Sequence, residues 1–265
     1  HPDVKKIAFT GSSATGAKIM SDSTLHGVKP VHLELGGKTP QLVLSDCDNI
    51  DNAVEKIALG MFVNSGQVCT SGTRLIAHEK IVDEIVEKLI KIGKSKKPGP
   101  TWEDSSSLPP IVSKKQANRI ETLVNDSVEM GASIIDGGAW YDTNYGGYFY
   151  QPTYLEKVTR EMPAFKEEIF GPVINIDKFS DDEEGLEMAS HPTYGLAACI
   201  HTSNLNKAIN MSKKIESGMV WINHWGYPDD FTHPAGGYNN SGIGKDMGRV
   251  GIEEYYREKS IWIPH

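Results

Sequence analysis

Gln41-Leu42-Val43-Leu44, then Ala53, Val54, Ile57, Ala58, Met61 and Phe62, then Arg74-Leu75-Ile76-Ala77 carry the pattern of one continuous stretch. The outer runs are short and aliphatic and read as strands. The middle set recurs at the spacing of one helical face. The same alternation continues outward. Ile7-Ala8-Phe9-Thr10 reads as a strand, Gly11 to Gly16 as a turn, and Ala17-Lys18-Ile19-Met20 as the start of a helix. Downstream, helical stripes run through Ile81, Ile85, Leu89 and Ile90, through Ala117, Ile120, Leu123, Val124 and Val128, and through Leu205, Ala208, Ile209, Ser212 and Ile215. Val173 to Ile176, Leu196 to Ile200 and Met219 to Ile222 read as strands, and Tyr255 to Ile263 is strand-compatible. Lys97 to Pro110 is rich in Pro, Ser and acidic residues and reads as an exposed loop. Strands alternating with helices imply an α/β fold with a largely parallel sheet.

The chain has 265 residues, enough for one large domain or two modest ones, and 38% of them are hydrophobic, which permits a substantial core. No apolar run approaches the ~18 residues of a membrane span. The N-terminus His1-Pro2-Asp3-Val4-Lys5-Lys6 has neither the apolar stretch nor the cleavage site of a signal peptide, and no initiator Met. With a net charge of −8 and no long basic block, nucleic-acid binding is not expected. Three cysteines form no metal or disulfide spacing, and so sparse and odd a count suits a reducing cytoplasm.

Those cysteines differ in setting. Cys199 lies in the apolar run Leu196-Ala197-Ala198-Cys199-Ile200 and reads as a core thiol. Cys47 sits between Asp46 and Asp48, whose charges disfavour a thiolate. Cys69 sits in the polar, Gly-flanked segment Asn64-Ser65-Gly66-Gln67-Val68-Cys69-Thr70-Ser71-Gly72, which reads as a flexible turn. Upstream, Glu34-Leu35-Gly36-Gly37-Lys38 puts a carboxylate at a glycine turn. A thiol nucleophile and a separate base are the two parts that covalent catalysis requires. A carboxylate partly desolvated there would have its pKa raised toward neutrality. The strand, Gly/Ser turn and helix at Phe9 to Met20 is an arrangement that turns backbone N–H groups toward a phosphate, although an ordinary strand-to-helix turn has the same signature.

Taken in order, Phe9-Thr10-Gly11-Ser12, Glu34-Leu35-Gly36-Gly37-Lys38, Gly66-Gln67-Val68-Cys69, Glu167-Glu168-Ile169-Phe170-Gly171-Pro172, Tyr194-Gly195-Leu196 and Gly236-Gly237-Tyr238-Asn239-Asn240-Ser241-Gly242-Ile243-Gly244 cover nearly the whole chain. In that order they resemble the aldehyde dehydrogenase superfamily, specifically its C-terminal, catalytic half. The resemblance implies an α/β catalytic domain with a mostly parallel sheet flanked by helices, plus a remnant of a Rossmann-like cofactor domain. Residues 1–36 would end the cofactor domain, 37–235 would form the catalytic domain, and 236–265 a C-terminal loop, helix and inter-subunit strand.

The same resemblance implies NAD(P)-dependent oxidation of an aldehyde to a carboxylic acid. Cys69 would attack the aldehyde, forming a thiohemiacetal and then a thioacyl-enzyme. Glu34 would act as general base for hydrolysis. Gly11 and Ser12 match positions near the cofactor pyrophosphate, Leu35 and Gly36 the turn near the nicotinamide, and Glu168 and Phe170 positions at the nicotinamide ribose. NAD is favoured over NADP, and no metal is expected. The family's second oxyanion donor and its adenosine-binding strands lie upstream of Gly11, so the chain looks truncated and is expected to be inactive alone. Lys245-Asp246 stands where many members carry Arg-Glu. Ile222-Asn223-His224-Trp225-Gly226 and Pro234 to Tyr238 look like the amino-aldehyde and betaine-aldehyde branch. There Trp225 and Tyr227 would face a quaternary ammonium, with Asp229 and Asp230 adding charge. A cytoplasmic homodimer or homotetramer is implied for the full-length enzyme. A cofactor-independent cysteine esterase or thioesterase, or a non-catalytic assembly module, are the competing readings.

Overall fold

The structure, a computed structural model, describes residues 1–226 and 231–265. In chain order the elements are β1 (Ile7–Thr10), α1 (Ser13–Asp22), β2 (Val31–Glu34), β3 (Pro40–Val43), α2 (Ile50–Phe62), β4 (Arg74–His78) and α3 (Val82–Ser95). Then come α4 (Lys114–Glu129), β5 (Ser133–Asp136), β6 (Thr153–Glu156), α5 (Pro163–Lys166), β7 (Val173–Phe179) and α6 (Asp182–Ala189). The last are β8 (Tyr194–Gly195), β9 (Ala197–His201), α7 (Leu205–Lys214), β10 (Met219–Ile222), β11 (Tyr238–Asn239), β12 (Gly242–Ile243) and α8 (Gly248–Glu253).

The main sheet has seven strands in the order β10-β9-β3-β4-β7-β6-β5. Every pairing in it is parallel except β5 with β6. Parallel neighbours need crossover connections, and the helices supply them. The stretch 41–77 shows how. Val43, Leu75 and Ala77 face the cluster that α2 and α3 complete, whereas Leu42, Leu44 and Ile76 face the opposite cluster with α6 and α7. Side chains alternate across a strand, so apolar residues at consecutive positions bury both faces of the sheet. A third cluster under α4 and α5 packs on β6 and the start of β7.

The helices begin where short polar side chains cap them. Asn49 accepts from the Asn52 N–H ahead of α2, Ser113 from Gln116 ahead of α4, and Asp181 from Glu183 and Glu184 ahead of α6. In α3, Val82, Ile85 and Leu89 are fully buried at helical spacing. Asp83 and Glu84 occupy its first turn and Lys94 its last, as the helix dipole favours.

A smaller three-stranded sheet runs β1-β2-β12, with β1 and β2 parallel and β12 antiparallel to β2. It brings the C-terminal segment back onto the first strands of the chain. Both Thr10 and Gly242 pair with Glu34. A two-stranded ladder joins β11 to β8. Strands β2, β5 and β6 and helix α6 were not anticipated from the sequence. Tyr255 to Ile263 forms no strand within this chain. A strand exists only through pairing, and no described strand pairs with it; Ile261, Trp262 and Ile263 are exposed. Among the described residues no helix is long and apolar enough to cross a membrane.

Candidate active site

Cys69 follows α2 through a tight left-handed passage. Asn64 and Ser65 have φ of 49° and 53°, and Gly66 has φ of 71°. A side chain at Gly66 would place its Cβ 2.3 Å from the Gly171 carbonyl oxygen, so both the φ and the close approach require glycine. Gln67 then ties the loop down. Its Nε2 donates to the Asn64 and Pro110 carbonyls, and its Oε1 accepts from the Val112 N–H. Ser71 donates to the Gly60 carbonyl, and the Trp225 indole N–H to the Thr70 carbonyl at 2.8 Å. The turn is therefore anchored on both sides of the cysteine rather than flexible.

Cys69 itself is half-buried. Burial pushes its thiol pKa up, and the charges of Glu168 and Glu34 push the same way, against opposing N–H groups of Thr70 and Cys69. Cys47 is raised by burial and by Asp48 and Asp46. Cys199 is fully buried and raised by burial alone.

Glu34 ends β2 and so is fixed by the ladder of the smaller sheet rather than by a turn. Its carboxyl is raised to about 7, first by burial and next by Asp246, with Lys245 opposing. Glu168 is also raised to about 7 by burial, although its Oε1 accepts the Gly37 N–H at 3.1 Å and Lys38 and Arg119 lie nearby. Lys38 is itself buried, lowered to about 7 by burial and by Arg74, and donates to the Ala164 carbonyl.

A cavity of about 460 Å³ gathers Gly11, Ser12, Glu34, Leu35, Gly36, Cys69, Glu168 and Phe170 on one wall or another. These residues come from the end of β1, the end of β2, the Cys69 loop and the segment after α5. Ser12 caps α1 by accepting from Thr15. Gly11 donates its N–H to the Glu34 carbonyl, and Leu35 donates to Ser241, so the C-terminal segment braces this edge. A Cβ at Gly36 would lie 2.4 Å from Oε2 of Glu168. Phe170 has φ of 56°, unusual for an aromatic residue, and Gln116 Nε2 holds the turn by donating to the Ile169 and Phe170 carbonyls.

Thr10, Gln67, Val68, Gln116 and Arg119 also line the cavity. Gln116 and Arg119 sit one turn apart on α4, whose apolar stripe drew the attention in the sequence. Their only signal was polarity at helical spacing, which any solvated face shows. Trp225 does not line the cavity. It is buried behind the Cys69 loop, with its ring against Gly60. Tyr227, Asp229 and Asp230 lie outside the described residues.

The walls at Gly11 and Gly36 are so close that side chains there would strike the Phe9 ring or the Glu168 carboxylate. Among the described residues no backbone group donates to Oε2 of Glu168, and α1 starts at the rim. The aldehyde dehydrogenase family model matches residues 1–261. The chain belongs to that family. It is 41% identical over 261 residues to a chloroplastic betaine aldehyde dehydrogenase of Beta vulgaris, covering 98% of this chain and 52% of that one. It is 40% identical over 261 residues to a peroxisomal aminoaldehyde dehydrogenase 1 of Pisum sativum, covering 98% and 51%. The structure of the NAD+ complex of aldehyde dehydrogenase from Bacillus cereus superposes with a TM-score of 0.94 at 38% identity, over 99% of this chain and 52% of that one. The chain thus spans about half the length of the relatives it matches.

Proposed function

We propose that the protein carrying this chain oxidises aldehydes to carboxylic acids, with Cys69 as nucleophile and Glu34 as general base. The observation that carries this reading is the meeting of Cys69, Glu34 and Glu168 around one cavity bounded by the β1–α1 turn. Burial and the charges of Glu168 and Glu34 disfavour the Cys69 thiolate, so attack needs a base to take the thiol proton, Glu34 in this reading. Sulfur then adds to the aldehyde carbon, and the carbonyl becomes an oxyanion for which the Cys69 N–H is a donor. Nicotinamide, when bound in the cavity, would supply the hydride acceptor. Cys69 would hold the oxidised carbon as a thioester. Glu34, with a pKa near neutrality, takes a proton from water as that water attacks the thioester. The products are the acid and the free thiol.

Glu168 would accept from ribose hydroxyls through its free oxygen, and Gly11, Ser12, Leu35, Gly36 and Phe170 would line the same half of the cofactor. NAD is supported by the NAD+ complex of the Bacillus cereus aldehyde dehydrogenase. An aldehyde bearing an amine or quaternary ammonium is supported by the names of the plant relatives. With Trp225 behind the loop, the cation recognition expected of its ring has no support from its position.

The test follows NADH formation by the full-length protein with NAD+ and a panel including propanal and betaine aldehyde. Wild type should turn over. Cys69→Ala should form no NADH, and Glu34→Gln should give a burst of about one NADH per site and then stall with the thioester in place. Unchanged turnover by Cys69→Ala, or hydrolysis of activated esters with no NADH from any aldehyde, would overturn the reading in favour of another chemistry.

A further inference from the structure

His32 lies two residues before Glu34 on β2 and therefore on the same side of that strand. It is 3% exposed, and among the described residues neither ring nitrogen has a hydrogen-bond partner. Oε1 of Glu34 is buried and unpartnered too. The two face each other: Nε2 of His32 is 3.6 Å from Oε1 of Glu34 and 3.2 Å from Oδ1 of Asp246. Asp246 is held there by its backbone, which exchanges both hydrogen bonds with Ala235 at 2.8 Å. A buried polar atom without a partner is costly, so the arrangement calls for a group that satisfies these atoms together.

We propose that His32, Glu34 and Asp246 form a binding site for a divalent transition-metal cation of the Zn2+ class. One nitrogen and two carboxylate oxygens lie within 4.8 Å of one another, the only such set of at least three potential ligands among the described residues. Zinc bonds of about 2.0–2.2 Å at near-tetrahedral angles place neighbouring ligand atoms roughly 3.3–3.5 Å apart. The two separations from His32 Nε2, 3.6 and 3.2 Å, bracket that value. A nitrogen ligand selects against Mg2+ and Ca2+, which take oxygen. Three protein ligands leave a further position for water.

The surroundings suit the role. Gly244 packs so near the ring that a Cβ there would lie 2.7 Å from Nδ1. Oε2 of Glu254 stands 3.9 Å from Nδ1, on the side where a ligating histidine usually has its outer partner. Glu254 is in turn paired with Lys6 at 2.6 Å. Among the described residues Lys245 opposes the rise at Glu34, and its ammonium donates to the Gly236 carbonyl. Occupancy would use the oxygen that Glu34 needs as a base, so the cation would inhibit. That consequence rests on the proposed reaction, whereas binding itself does not.

Binding is measured by equilibrium dialysis of the chain against Zn2+, and by the visible absorption of the Co2+ form. Wild type and Cys69→Ala should each bind one equivalent. His32→Asn and the more exposed Asp246→Asn should weaken binding at least tenfold and lose the Co2+ spectrum. Far-ultraviolet circular dichroism checks that each variant folds, and Asp246→Asn carries the test if His32→Asn does not. Wild-type affinity in the folded variants, or loss of binding in Cys69→Ala, would overturn the proposal. So would an absence of stoichiometric binding by wild type.

Discussion

Gly36 shows how closely a single position is matched to its neighbours. A methyl group there would lie 2.4 Å from Oε2 and 2.8 Å from Cδ of Glu168, the far end of a side chain that can turn away. The backbone need not move, so Gly36→Ala should change unfolding free energy by less than about 1 kcal/mol. The displaced carboxylate would lose the Gly37 N–H and its aim into the cavity. On the proposed function, KM for NAD+ should rise at least tenfold, with a much smaller fall in kcat. Steady-state kinetics with NAD+ varied will check this; an unchanged KM would remove Glu168 from cofactor binding. Residues such as Cys69, Glu34 and Glu168 were legible in the sequence because short motifs carry them. His32 was not. Its neighbours Val31 and Leu33 look like ordinary strand residues, and nothing local announces that Asp246 returns to its side.

Among elements, legibility followed the strength of the apolar pattern. Helices α2, α3, α4 and α7 bury clear stripes, and β3, β4, β7, β9 and β10 are aliphatic. Helix α6 buries only Gly185, Leu186 and Ala189 and opens on three acidic residues, so its stripe is too thin to read. Strands β5 and β6 alternate weakly beside a Gly-rich segment. The Cys69 loop was legible as a turn but not as an anchored one, because its anchors are backbone carbonyls at Pro110 and Gly60, far off in sequence or hidden in α2. Gln67 carries much of that anchoring through three hydrogen bonds of 2.9 to 3.1 Å. Each such bond contributes about 0.5–1.5 kcal/mol net. Gln67→Ala should therefore destabilise by about 2–4 kcal/mol in urea unfolding, and Cys69 should react with iodoacetamide at an altered rate. Unchanged stability and reactivity together would show that the loop is held elsewhere.

Over the whole molecule, burial sets titrating groups against each other. Glu34 and Glu168 are raised to about 7 and Asp177 to about 6, each chiefly by burial. The folded state then holds protons that the unfolded chain has released, so these groups favour folding at low pH and lose that contribution as pH rises through their folded values. His191 and His201 behave oppositely. Burial lowers both from 6.5 to about 4, with Arg74 adding to the effect at His191 and His224 at His201. Unfolded imidazole takes up a proton below about 6.5 while the folded ring stays neutral, so their contribution is complete above 6.5 and is lost as pH falls toward 4. Between about 4.5 and 6 the two classes pull in opposite directions, and the wild-type profile is flattened. His201 offers a way to separate them, since it is fully buried and its Nε2 lies 3.0 Å from Gln41 Oε1, away from the cavity. A Gln in its place can donate to the same oxygen but does not titrate. His201→Gln should lower Tm at pH 8 through imperfect packing, and its deficit against wild type should shrink steadily as pH falls from 6.5 to 4. Calorimetry across that range decides the matter: a deficit independent of pH would mean that His201 is protonated alike in the folded and unfolded states, and that the flattening has another source.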